Sequence, residues 1–169
     1  MEETTKHSRH SVLREVILEH LLVGELLRAL WKRDVVDAEI LRSEFDGGGY
    51  DLVVSRNKIT RHVQLKATMV EGKRSTVDVS LNLASKPSGC VVWMFVTPDL
   101  RFHHFLWFGA RAGWTLPDIS MGKVVKHTKG DSEGTKLDRP NLREVKKSDF
   151  VEVRGVEELL DLLLGDEAR

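Results

Sequence analysis

Between Ser11 and about Arg33, apolar residues recur at three- and four-residue steps: Val12, Leu13, Val16, Ile17, Leu21, Leu27 and Leu30, with Leu18, Leu22, Val23 and Leu26 widening the stripe. That period predicts a helix, and Ser11 stands where a capping hydroxyl would. A helix apolar over most of its circumference is expected to be buried, so Glu19, His20 and Glu25 on it call for a role. Farther along, short alternating or continuous apolar runs replace the helical period. They predict strands at 35–42, Tyr50–Ser55, Ile59–Thr68, 77–83, Cys90–Thr97 and Phe102–Phe108. The run CVVWMFVT is apolar throughout and bounded by breakers, as a central strand would be. Residues 120–149 are charged and poor in apolar positions and read as a long loop. Val156–Leu164 closes the chain as an amphipathic helix within 155–165. The order predicts an α/β (α+β) fold, a mixed β-sheet flanked by helices, as a single domain over 11–169 behind a polar tail at 1–10.

Composition narrows the classes. At 169 residues the chain suits one domain with a substantial core. A single cysteine, Cys90, excludes an intramolecular disulfide framework and a Cys-based zinc finger; at the head of an apolar run it reads as an inert buried thiol. No apolar run is long enough to span a bilayer and no apolar leader opens the chain, so the expectation is a cytoplasmic protein with no membrane partner.

Lys plus Arg is 26 and Asp plus Glu is 26, which rules out a wholly basic, histone-like surface but not a local basic cleft. The cations concentrate in 123–147, where eight Lys or Arg face four Asp or Glu. Lys126, Lys129, Lys136, Arg139 and Arg143 are the candidate nucleic-acid-binding residues there, with Lys123, Lys146 and Lys147 as further phosphate contacts. Asn141 could reach a base edge. The plainer reading is a solvated loop.

The chemistry concentrates in Tyr50–Thr68. Strand alternation puts His62, Gln64 and Lys66 on one face and Val63, Leu65 and Ala67 on the other, apolar one. In the preceding strand Asp51, Val53 and Ser55 share a face. A two-residue turn at Asn57-Lys58 pairs Arg56 with Ile59, and the same register sets Asp51 opposite Gln64, with Lys66 as diagonal neighbour. A carboxylate, an amide and an ammonium are thereby gathered. Asp51 offers a hard oxygen to Mg²⁺, Gln64 its side-chain carbonyl and Leu65 its backbone carbonyl. Lys66 would stand beside a metal-bound water or neutralise charge on a phosphate. One carboxylate is a weak magnesium site, so a second acid is wanted, and the first helix offers Glu25, with Glu19 as the alternative. Asp46 is a further carboxylate, but before Gly47-Gly48-Gly49 it reads as a turn residue. The glycines precede a strand rather than a helix, so they are not a phosphate loop; they let the backbone turn closely beneath the site.

In order, the stretches FDGGGYDLVV and HVQLK resemble the PD-(D/E)XK nuclease superfamily in its Q-x-K variant, with a restriction-endonuclease-like or Holliday-junction-resolvase-like core over residues 11–97. The resemblance implies a restriction-endonuclease-like sheet and Mg²⁺- or Mn²⁺-dependent hydrolysis of phosphodiester bonds in DNA, with a homodimer as the form suited to cutting two strands. By that likeness Asp51 is the motif aspartate, Gln64 occupies the place of the usual Glu or Asp, Lys66 is the motif lysine and Glu25 the helix acid. Two departures stand out: Tyr50, not proline, precedes Asp51, and Gln64 carries no charge. The alternative they leave is a non-catalytic protein of the same fold that binds nucleic acid or a partner protein.

The remaining candidates read blandly. His103 and His104 are adjacent in a strand and point to opposite faces, so they are core or surface histidines. Trp93, Trp107 and Trp114 read as core.

Overall fold

The helical period folds into α1 (Ser11–Lys32), which buries Leu18, Leu22, Leu26, Ala29 and Leu30 along one side. Its other side does not follow the expectation of all-round burial: Leu13, Leu27 and Trp31 are exposed, Trp31 at 72%. The physical reason is that the sheet beneath offers α1 only one surface. The helix begins at Ser11, but no side chain caps it. The structure, a computed structural model, describes residues 6, 7, 9–45, 47–127 and 135–169. Most of the expected tail, Asp46 and Lys129 lie outside the described residues.

Among the described residues nine strands follow: β1 (Glu39–Arg42), β2 (Leu52–Arg56), β3 (Ile59–Met69), β4 (Thr76–Ser80), β5 (Gly89–Val96), β6 (Phe102–Gly109), β7 (Val124–Lys126), β8 (Asp138–Lys146) and β9 (Val151–Val153). A one-turn helix α2 (Leu81–Ala84) lies between β4 and β5, and α3 (Val156–Leu164) closes the fold. The main sheet runs β1-β2-β3-β5-β6-β9, and a second sheet runs β4-β8-β7. Among the described residues only β3 and β5 pair in parallel, joined by the β4–α2 crossover. The mixed α+β class expected from the element order is the class observed.

The middle strand explains the layering. Every residue of β5 is buried. Cys90, Val92, Met94 and Val96 join a core with Leu18, Leu22 and Leu26 of α1 and Leu159, Leu160 and Leu163 of α3. Val91, Trp93 and Phe95 join a second core with Val77 and Val79 of β4, Leu83 of α2 and Val145 of β8. Strand alternation thus sends successive residues into opposite cores: helices cover one face of the main sheet and the small sheet covers the other.

Three predicted boundaries shift. Residues 35–38 are not strand, because the N–H groups of Arg33, Asp34 and Val35 bond back to Leu30 and Trp31 carbonyls and finish the helix. The strand predicted over 77–83 stops at Ser80, whose hydroxyl accepts from the Asn82 N–H and turns the chain into α2. The long loop at 120–149 contains β7 and β8 instead. Their hydrophobic signal is thin because the small sheet buries little but Val125 and Val145 from them, among charged neighbours.

Trp93 and Trp107 are core, as read, but Trp114 is 65% exposed. The His103 and His104 rings meet through their Nδ1 atoms at 2.8 Å despite their adjacency. Burial pushes the Cys90 thiol up to about 12, which makes it inert.

Candidate active-site cleft

The hairpin carries the site. Strands β2 and β3 pair antiparallel with Leu52 opposite Val63 and Arg56 opposite Ile59, the register read from the sequence. Asn57 takes φ 50 in the turn, a left-handed conformation that Asn tolerates. One residue beyond the paired part of β2, the Asp51 N–H donates to the Val63 carbonyl at 2.8 Å. Its carboxylate then continues the ladder where the strand stops: the Leu65 N–H donates to Asp51 Oδ2 at 2.6 Å. In a strand the N–H and C=O of one residue face the same side. The Leu65 carbonyl therefore lies on the β3 edge that Asp51 closes.

Gln64 and Lys66 flank Leu65 and project from the face covered by the small sheet. They line a cleft of about 430 Å³ together with Asp78, Ser80 and Asn82 of the crossover and Asp138–Leu142 of β8, with Gly47, Gly49 and His127 at its margins. Gln64 is 8% exposed. Its Oε1 accepts from the Ser80 N–H at 3.3 Å, which fixes the amide and ties β3 to the end of β4. The glycine loop packs down on the same joint. Gly49 has φ +74, and a Cβ there would come within 2.6 Å of Ser80 Oγ, so close approach beneath the site is what this glycine provides. Asn82 Nδ2 donates to the Gly47 carbonyl at 3.2 Å and holds the loop from above.

Beside the cleft, His62 meets the Tyr50 ring edge-on at 4.9 Å, and the Lys86 ammonium lies 5.4 Å from the Tyr50 centroid. Burial, then the Lys86 charge, holds the His62 imidazole below its ordinary value of 6.5.

The helix acids lie elsewhere. Glu25 pairs with Arg28 at 3.0 Å and lines a different cavity with Leu21, Asp99, Arg101, Phe105 and Arg154. The structure does not bring it to the cleft, because α1 crosses the opposite face of the sheet. Glu19 is nearer the Asp51 end: it pairs with Arg42, whose register partner is Leu52. The two glutamates lie six positions apart on the helix, about 9 Å along the axis.

The basic segment divides. Arg139 lines the cleft. Arg143 is committed to structure, donating to the Ser120, Pro140 and Leu142 carbonyls. Lys126 lies 3.9 Å from Asp138, and Lys123 pairs with Glu144 at 3.1 Å. Lys136 is exposed.

The sequence reading missed Asp78. It lies on β4 two residues before Ser80, so alternation puts both on the face away from Val77 and Val79. A polar residue between two buried valines was the available signal, but nothing local says that β4 faces β3.

The donors can be weighed against a divalent cation. Asp51, Gln64 and the Leu65 carbonyl are hard oxygens. Mg²⁺ takes one or two such carboxylates, keeps waters and shares substrate phosphates. Gln64 Oε1 retains a second lone pair beyond its bond to Ser80. Among the described residues no three His, Cys, Asp or Glu side chains gather as a metal-holding group. Asp51 and Leu65 meet at the β3 edge, whereas Gln64 and Lys66 line the cleft beside it.

No family model, curated protein or solved structure matches the chain. No described helix is long and apolar enough to cross a membrane.

Proposed function

We propose that the protein is a Mg²⁺- or Mn²⁺-dependent phosphodiester hydrolase of the PD-(D/E)XK kind, acting on DNA. The observation that carries this reading is the hairpin end: Asp51 closes the β3 edge at Leu65, while Gln64 and Lys66 enter one cleft. The parallel β3–β5 crossover and the helix-covered opposite face support the same reading at the level of fold.

Asp51, Gln64 and the Leu65 carbonyl would hold the ion. When bound, it supplies Lewis-acid charge and lowers the pKa of a water. The chain's own groups do the rest. The Leu65 N–H orients the Asp51 carboxylate, and the Ser80 N–H orients the Gln64 amide, so neither needs to reorganise on substrate binding. The Lys66 ammonium holds the attacking water or neutralises charge building on the phosphate oxygens. Arg139, across the cleft, contacts a flanking phosphate. A homodimer, as the resemblance implies, would present two such clefts to two strands.

A second reading has its own observation. One oxygen of Asp51 and the carbonyl of Gln64 each already accept a backbone N–H. A protein that binds nucleic acid without cutting would use Lys66 and Arg139 alone. Labelled DNA, single-stranded and duplex, incubated with Mg²⁺, Mn²⁺ or EDTA separates the two. Cleavage that needs metal and is lost in Asp51→Ala supports hydrolysis. Salt-dependent binding that is indifferent to metal, without cleavage, supports the second reading.

A further inference from the structure

We propose that Asp78 of β4 is the second carboxylate of this site and a ligand, directly or through one water, of its divalent cation. The inference rests on the metal-dependent reading above and names a residue outside its motif.

Three observations carry it. First, both helix glutamates are held in ion pairs, Glu25 with Arg28 and Glu19 with Arg42, and Glu25 lines another cavity. Second, Asp78 lines the same cleft as Gln64 and Lys66. Its neighbour on the same strand face, Ser80, donates its backbone N–H to Gln64 Oε1, so β4 is fixed against β3 at this point. Third, Asp78 is half-buried and has no hydrogen-bond or ion-pair partner among the described residues. The other acid in the cleft, Asp138, is exposed and lies beside Lys126.

Among the described residues no hydrogen bond replaces the hydration that this partly buried carboxylate loses, although the Lys66 ammonium lines the same cleft. Its cross-strand partner on β8 is Glu144, a like charge that offers no relief beyond its own pairing with Lys123. A divalent cation between β4 and β3 would be bound by this carboxylate as a ligand, which no described side chain does. Asp78 would bring the negative charge that Gln64, in place of the usual acid, does not. In chemical terms, the acid absent from β3 enters from the strand facing it.

Binding of Mn²⁺ is the test, followed through the electron paramagnetic resonance of the free ion, with dimethyl phosphate present as a phosphodiester mimic. Wild type, Asp78→Asn, Asp78→Glu, Asp51→Asn, Glu19→Gln and Glu25→Gln are compared, with circular dichroism confirming the fold of each. Asp78→Asn and Asp51→Asn are each expected to weaken binding at least about tenfold. Asp78→Glu, which keeps the charge, should retain part of the affinity, and the two helix variants should bind like wild type. If Asp78→Asn binds Mn²⁺ like wild type while Asp51→Asn does not, the Asp78 assignment is overturned and the hydrolase reading stands. If wild type shows no saturable binding, both are overturned.

Discussion

At the residue scale the site depends on a few positions where the backbone leaves no latitude. Gly49 combines φ +74 with a neighbour 2.6 Å from any Cβ it might carry. Gly49→Ala must therefore strain the backbone and push Ser80 away from the joint that fixes Gln64. A loss of about 2 kcal/mol or more is expected in urea unfolding, and a cost within a few tenths would contradict the close approach. His62 adds a pH dependence whose sign follows from its depressed value in the folded state. Between that value and 6.5 the unfolded chain holds more protons, so stability climbs as pH rises through this window and is lost as pH falls through it. Burial depresses His104 as well, so His62→Asn should flatten only part of the slope. An unchanged slope in that variant would show that His62 does not contribute.

At the element scale, legibility varied with how much of an element's environment is local. The β2–β3 register was readable from Leu52 to Arg56 because a two-residue turn and period-two alternation determine it there; it does not extend to the expected Asp51–Gln64 pair, because the Asp51 N–H bonds to the Val63 carbonyl instead. The β7–β8 pair was not readable, because its strands show few apolar residues and the partner face comes from β4, far away in sequence. Glu25 was unreadable for a related reason: the helical period shows which residues share a face, not which end of the sheet that face meets. Asp78 shows the same limit in reverse, since its role depends on a neighbour brought by the crossover. Arg61 was visible in principle, as alternation puts it on the apolar side with Val63, where it is fully buried. There its guanidinium ends α3. Nε donates to the Leu163 carbonyl at 3.1 Å, and Nη2 to the Leu162 and Ala110 carbonyls at 2.9 and 3.2 Å. Lysine keeps the charge but not this planar fork. Arg61→Lys should therefore destabilise by about 1–3 kcal/mol through unsatisfied helix carbonyls. Amide exchange along α3 should rise with it, and unaltered exchange there would show that the cap is dispensable.

At the scale of the whole molecule, one fully buried strand separates two cores, and this layering places the cleft. Helices α1 and α3 stabilise the main sheet from one side, leaving the Gln64–Lys66 face to a small, polar-edged sheet. The chemistry is thereby kept apart from the larger core, so cleft substitutions that spare the Gly49–Ser80–Gln64 joint should change function with little change in folding. Lys66→Ala tests this most directly. The measurement is Mg²⁺-dependent cleavage of DNA by wild type and Lys66→Ala, purified identically, with unfolding midpoints taken on the same samples. The account predicts cleavage by wild type, none by Lys66→Ala and similar midpoints. Equal cleavage by the two, or none by wild type with any DNA or metal tried, would contradict it.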